Sequence, residues 1–314
     1  MTERIRIVFM GTPEFAVPPL RALVKAGFHV AAVVTQPDRP GGRGRRLLEP
    51  PVKATARLYE LPVIQPERVR DESFLSLFKD LAPHLVVVAA FGQILPRVIL
   101  DTPPLGCLNV HPSLLPRYRG AAPINWTLIR GETVTGVTIM LMDEGVDTGD
   151  ILLQKETPIA AGENYDSLHE RLSLMGAELL VEAIPAWERG ELSRRPQDHE
   201  GATYAPRLKR EDGLIRWERG GREVVNLIRG LSSVPGAYTY LEGRILKVFA
   251  ARFTTGDTGV PPGTVGKGDG REIPVSVSDG WVSLQEVQLE GKKKMAAADF
   301  LRGFPLSPGR RLGQ

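Results

Sequence analysis

The chain has 314 residues, 42% hydrophobic and 25% charged, enough apolar material for a sizeable core and too much for a disordered protein; the length is a soft prior for two domains. A single cysteine, Cys107, excludes an internal disulfide scaffold and reads as a small buried hydrophobe, and no apolar run approaches the roughly 18 residues of a membrane span. The net charge is only +3, yet residues 207–314 hold 18 Lys and Arg against 12 Asp and Glu, a surplus suited to a polyanionic partner.

In chain order, Ile5 to Met10 is a β-branched apolar run, followed by the turn Gly11-Thr12-Pro13 and by helical spacing of Phe15, Pro19, Leu20, Leu23 and Val24 over 14–26, closed by Gly27. The start, MTERIRIVFMGTPEF, fits neither a secretory leader nor a transit peptide, so a cytoplasmic location is expected. Its turn lacks the G-x-G-x-x-G pattern that seats a pyrophosphate. No P-loop, G-x-S-x-G elbow or cysteine-based metal cluster occurs either, so neither dinucleotide binding nor a metal site is expected. Apolar runs at His29–Thr35, Leu61–Ile64, Leu85–Phe91 and Leu108–His111 then alternate with helical segments at Val52–Tyr59 and Asp71–Leu81. Continuous rather than alternating hydrophobicity marks strands covered on both faces, so this region is predicted to be α/β, with a doubly wound, mostly parallel sheet. Within it, PDRPGGRGRRLLEPP carries Arg39, Arg43, Arg45 and Arg46 in a stretch too irregular for an element and too basic for a core.

Val137–Met142 predicts another strand and Asn164–Trp187 a long amphipathic helix. The polar segment Gly190–Asp212 shows no period, and the predicted division is a domain over 1–190, a linker over 191–209 and a second domain over 210–314. That second domain begins with a short helix, Arg222–Arg229. Five short runs follow between Gly and Pro turns: Ala237–Leu241, Ile245–Phe249, Gly263–Val265, Ile273–Val277 and Val282–Val287. They predict a small C-terminal β-barrel, OB-like in type.

Two stretches carry chemistry. In CLNVHPSLLPRYRGAAPINW, Asn109 and His111 stand two apart at the end of a predicted strand, so their side chains share a face at the edge where ligands bind in such sheets. Pro112 and Pro116 stiffen the segment Ser113-Leu114-Leu115 between them, a wall better suited to a flat heteroaromatic ring than to a phosphate. In GVTIMLMDEGVDTGD, four carboxylates crowd one loop, and Asp147 lies mid-loop between Gly145 and Gly149. On the residues alone, His111 fits a structural imidazole as well as a catalytic one, and Asp143 and Asp150 fit turn caps better than chemistry.

Together, NVHPSLLPRYRGAAPINW and GVTIMLMDEGVDTGDIL resemble the signature of the folate-dependent formyltransferases, and MGTPEFA, TQPDRPGGRGRRL and GKKKMAAADFL extend the resemblance over nearly the whole chain. It implies a formyltransferase-type, Rossmann-like catalytic domain, with Asn109, His111 and Asp147 as the catalytic trio. It further implies Ser113, Leu114, Leu115 and Pro116 as the folate-contacting segment, and 10-formyltetrahydrofolate as the formyl donor. The implied acceptor is initiator methionyl-tRNA, its acceptor stem met by Arg39, Arg43, Arg45 and Arg46, with Arg43 foremost, and its phosphate backbone by Arg207, Lys209 and Arg210. Such chemistry suits the residues: the Asn109 amide and a His111 ring N–H would form an oxyanion hole, and Asp147 would take up protons from the amine. A monomer with no membrane partner is expected. Two competing readings are a formyltransferase acting on a small amine, a nucleotide or an amino sugar, and a non-catalytic RNA- or folate-binding module.

Overall fold

A computed structural model describes residues 5–41 and 46–313. By contacts the chain groups into two compact units, one holding residues 1–120, 134–157 and 169–204, the other 121–133, 158–168 and 205–314. The segment expected to act as a linker is thus divided, its residues as far as Tyr204 packing with the first unit.

The first unit is built on β1 (Arg6–Gly11), α1 (Val17–Lys25), β2 (His29–Val34), β3 (Arg39–Gly41), β4 (Arg46–Leu48), α2 (Pro51–Leu58), β5 (Val63–Ile64), α3 (Glu72–Asp80), β6 (Leu85–Ala89), α4 (Arg97–Asp101) and β7 (Cys107–His111). With β8 (Val134–Leu141) and β9 (Ile151–Pro158) these strands form one seven-stranded sheet in the order β5-β2-β1-β6-β7-β8-β9, β3 and β4 pairing separately. Pairing is parallel from β5 to β7, with Phe9 between Val33 and Val87, and turns antiparallel at β7–β8, where His111 lies opposite Thr138. The doubly wound prediction therefore holds. Its cause is visible in β6, Leu-Val-Val-Val-Ala, where every residue is buried because both sheet faces are covered. Burying such a valine contributes about 1.5–3 kcal/mol.

The winding reverses between β1 and β6, the kind of point at which open α/β sheets take ligands at their carboxyl ends. The helix α6 (Tyr165–Glu188) follows β9, and a Cβ at its Gly176 would come 2.6 Å from Val110 of β7 and 3.4 Å from Val137 of β8. Because only a glycine fits there, α6 lies tight against the face that Val110 presents. The alternation of a strand then aims Asn109 and His111 at the opposite face.

The remaining differences from expectation are local. The basic stretch 35–48 contains a short antiparallel pair, Arg39 opposite Leu48, rather than no element. Residues 14–16 form a turn of 3₁₀ helix before α1, whose first turn accommodates Pro18 and Pro19 because helix starts leave N–H groups unbonded.

The second unit holds a short α5 (Pro123–Ile129), α7 (Gly221–Leu231), β10 (Ala237–Leu241), β11 (Arg244–Thr255), β12 (Ile273–Val277), β13 (Gly280–Leu289), β14 (Met295–Ala296) and α8 (Ala297–Gly303). Its antiparallel sheet runs β10-β11-β13-β12, with β14 beside β13, and the register slips between Val248 and Ala251. Such a bulge bends a strand, and the sheet curls as a half-barrel over a core of Trp217, Val224, Ile228, Val248, Val275 and Leu284. Gly263–Val265 makes only isolated bridges, Thr264 with Arg311 and Val265 with Val275. Pro261 and Pro262 precede it and Gly263 has φ +85°, which breaks an extended run. The fifth strand is instead Met295–Ala296, hidden in the sequence behind three lysines.

Candidate active site

Asn109 and His111 are buried, at 8% and 4% exposure, and both face Asp147. Asn109 Nδ2 donates to Asp147 Oδ1 at 3.4 Å, and His111 Nδ1 stands 3.6 Å from the same oxygen. An amide, an imidazole and a carboxylate thus meet around one atom. On the far side of the imidazole, Nε2 lies 3.1 Å from Tyr118 O. A carbonyl only accepts, so Nε2 carries the proton of this hydrogen bond. Nδ1 is the ring nitrogen left facing the Asp147 carboxylate.

Asp147 is held in an unusual backbone state. Its φ is +54°, in the left-handed region, which costs a non-glycine residue roughly 1–2 kcal/mol. The second carboxylate oxygen accepts from Gly120 N at 2.8 Å, and the Asp147 carbonyl accepts from Gln197 Nε2 at 3.0 Å. The expected crowd of carboxylates disperses: Asp143 Oδ1 accepts from Gly145 N and Thr148 Oγ1, while Glu144 lies 3.4 Å from Arg97. Asp147 turns toward Asn109 and His111.

The loop after β7 is pinned from beneath. Thr138 Oγ1, opposite His111, donates to Ser113 O at 2.6 Å and accepts from Leu115 N at 3.2 Å, while Gln154 Nε2 donates to Leu115 O at 2.9 Å. Ser113 Oγ donates to Arg117 O at 2.6 Å. Ser113 and Leu115 consequently turn into the protein, at 0% and 3% exposure, and Leu115 packs with Met140 and Ile151. Leu114 and Pro116 stay half-buried, able to touch a ligand.

Residues 4–184 match the formyl transferase family, and residues 207–305 match the C-terminal domain of formyl transferases. The chain belongs to the formyl transferase family. Among its relatives, the methionyl-tRNA formyltransferase of Syntrophus aciditrophicus is 57% identical over 310 residues, covering 99% of each chain. That of Pelobacter propionicus is 53% identical over 98% of this chain and 96% of its own. A solved N-formyltransferase from Helicobacter canadensis, in complex with folinic acid and dTDP-3-aminofucose, shares the fold. Its TM-score is 0.64 at 19% identity, over 90% of this chain and 99% of that one.

In this formyl transferase, the basic side chains read from the sequence are placed as follows. Arg43 and Arg45 lie outside the described residues, as does the Arg46 side chain. Arg39 is exposed and pairs with Glu67 at 3.2 Å. Arg207 and Lys209 are exposed, and the Arg210 guanidinium sits 6.0 Å from the Tyr238 ring centre.

Missed by the sequence reading were Tyr118, Gly120 and Gln197, which touch His111 or Asp147, and Arg119, which holds Gln197. Arg119 and Gly120 lie inside the quoted motif, but Gln197 sits in a stretch with no periodic signal.

Proposed function

We propose that this formyl transferase moves the formyl group of 10-formyltetrahydrofolate to the α-amino nitrogen of initiator methionyl-tRNA, giving the formylated tRNA that begins translation in the cytoplasm. The convergence of Asn109 Nδ2 and His111 Nδ1 on one Asp147 oxygen supports the chemistry. Near-full-length identity to proteins named for methionyl-tRNA formylation supports the acceptor.

Attack by a neutral amine on a formyl carbon leaves negative charge on the carbonyl oxygen. The Asn109 amide and the His111 ring are the groups placed to meet that oxygen. Asp147 takes the proton that the amine sheds as its C–N bond forms. Through the His111–Asp147 pair one proton passes to the departing folate nitrogen, so the transfer balances without any change of oxidation state. Folate supplies the formyl carbon, and the residues in reach suit its flat ring. Leu114 and Pro116 are half-buried beside the trio, and Ile94 and Val146, on the loops leaving β6 and β8, are 79% and 57% exposed. Large apolar side chains left in water on loops that leave the sheet fit an aromatic ligand. Ser113 and Leu115 would act by holding that wall in place.

For the tRNA, Arg39, Arg43, Arg45 and Arg46 are assigned to the acceptor stem, and Arg207, Lys209 and Arg210 to its phosphates. Catalysis is assigned to residues 1–190 together with the part of 191–209 that packs with them, as far as Tyr204, and tRNA binding to 210–314, in a monomer. No helix among the described residues is long and apolar enough to cross a membrane. The deciding experiment supplies donor labelled in the formyl group to a pool of aminoacylated tRNAs. Label on methionine of the initiator supports the assignment, whereas label only on an added nucleotide-linked amino sugar overturns it.

A further inference from the structure

Among the described residues Arg119 is the largest fully buried side chain, at 2% exposure, and no carboxylate pairs with it. Its Nε and Nη2 instead donate to one neutral acceptor, Gln197 Oε1, at 3.0 and 2.7 Å, and Nη1 lies 3.3 Å from His199 Nδ1. A buried guanidinium held by an amide is an expensive arrangement for stability alone. The fork fixes the flip of the Gln197 amide, because both lone pairs of Oε1 are then taken and Nε2 must point the other way. Nε2 spends its two hydrogens on Asp147 O at 3.0 Å and Gly149 O at 2.7 Å, the carbonyls on either side of Thr148.

The backbone around Arg119 serves the same group. Gly120 N donates to the Asp147 carboxylate and Tyr118 O receives His111 Nε2, while Thr203 pins the segment through Arg119 N at 2.8 Å and Tyr118 N at 2.9 Å. One three-residue stretch therefore sets the imidazole, the carboxylate and, through Gln197, the left-handed backbone that carries the carboxylate.

We infer that Arg119 and Gln197 are positioning residues for formyl transfer: they hold the Asp147 loop in the conformation that keeps its carboxylate between Asn109 and His111. The inference rests on the function proposed above. Released from Gln197, Asp147 would relax from φ +54° toward an ordinary backbone and swing its carboxylate away. Misplacement by about 1 Å costs on the order of 100-fold in rate.

The test compares Gln197→Met, Gln197→Glu, Arg119→Met and Arg119→Lys with the wild-type chain. Gln197→Glu keeps the partner of Arg119 but turns acceptors toward two carbonyls. The expected result for both Gln197 variants is a kcat lowered 10- to 100-fold, with the KM for folate within about twofold and full folate-binding stoichiometry. Arg119→Lys, which can still donate to Gln197, should recover part of what Arg119→Met loses. Independently of activity, the Gly120 amide should exchange its hydrogen at least about tenfold faster in Gln197→Met, since its acceptor has left. A kcat within about threefold of wild type in either Gln197 variant overturns the inference. So does a loss that only tracks the folded fraction, or unchanged Gly120 protection. A wild-type chain that formylates no methionyl-tRNA sinks the functional proposal instead, and the exchange measurement still judges the positioning role.

Discussion

Gly149→Ala reports on how tightly the Asp147 loop is fixed. A Cβ at position 149 would stand 1.9 Å from Leu141 O and 3.0 Å from Leu141 C, both backbone atoms of β8 or its end, where real Cβ atoms essentially never come within 3.0 Å. The loop must therefore open by about 1 Å, and it cannot do so by rotating a side chain. Leu141 N is bonded to Asp150 O at 2.8 Å and Gly149 O to Gln197 Nε2 at 2.7 Å, so the displacement passes toward Asp147. An error of that size in a reacting group lowers kcat by about 100-fold, equivalent to about 2.7 kcal/mol of transition-state stabilisation. Overpacking costs the fold about 1–3 kcal/mol, which leaves the core strands in place. Steady-state formylation at saturating substrates, with thermal unfolding of the same preparation, measures both. A kcat within about threefold of wild type, in a variant that folds, would refute the claim that the loop geometry governs the chemistry.

Further outcomes are expected. Asn109→Ala removes one of the two donors proposed for the oxyanion and should lower kcat by about 100- to 1000-fold, or about 2.7–4 kcal/mol, with substrate binding little changed; equilibrium folate titration separates the two. Cys107 is 1% exposed, and burial pushes its thiol up to about 12, so at pH 8 iodoacetamide should label it only as fast as the protein unfolds. The same shift favours the protonated thiol in the fold: its contribution is complete below the ordinary value of 9.0 and is lost as pH rises toward about 12, where unfolding midpoints should fall. Replacing both Lys209 and Arg210 by Ala should reduce the slope of log affinity against log salt for tRNA by about two, while leaving folate affinity as it was.

How much of this is legible in the sequence depends on the range of the interaction. Runs such as Leu85–Phe91 declare a two-sided buried strand in their own composition, and the i, i+2 spacing of Asn109 and His111 fixes a shared face from local geometry. Asp147 stood out because glycines bracket it. Gln197 did not, since a side chain bonding to carbonyls 48 and 50 positions away leaves no pattern in its neighbours. The inward turn of Ser113 and Leu115 was likewise hidden: it depends on Thr138 and Gln154, which lie on the adjoining strands. Strand β9 carries no such signal because ILLQKETP is apolar only at one end, and α5 none because seven residues opening on a proline carry too little periodicity.

The central claim is that Asp147 takes protons from the attacking amine while Asn109 and His111 hold the oxygen. Asp147→Asn tests it most directly, because asparagine tolerates the left-handed backbone and keeps the shape while losing the charge. Single-turnover formyl transfer with enzyme in excess, alongside equilibrium binding of folate and methionyl-tRNA, should show both ligands bound within about twofold and transfer slowed by about 100- to 10,000-fold. Transfer within about threefold of the wild-type rate would contradict the account.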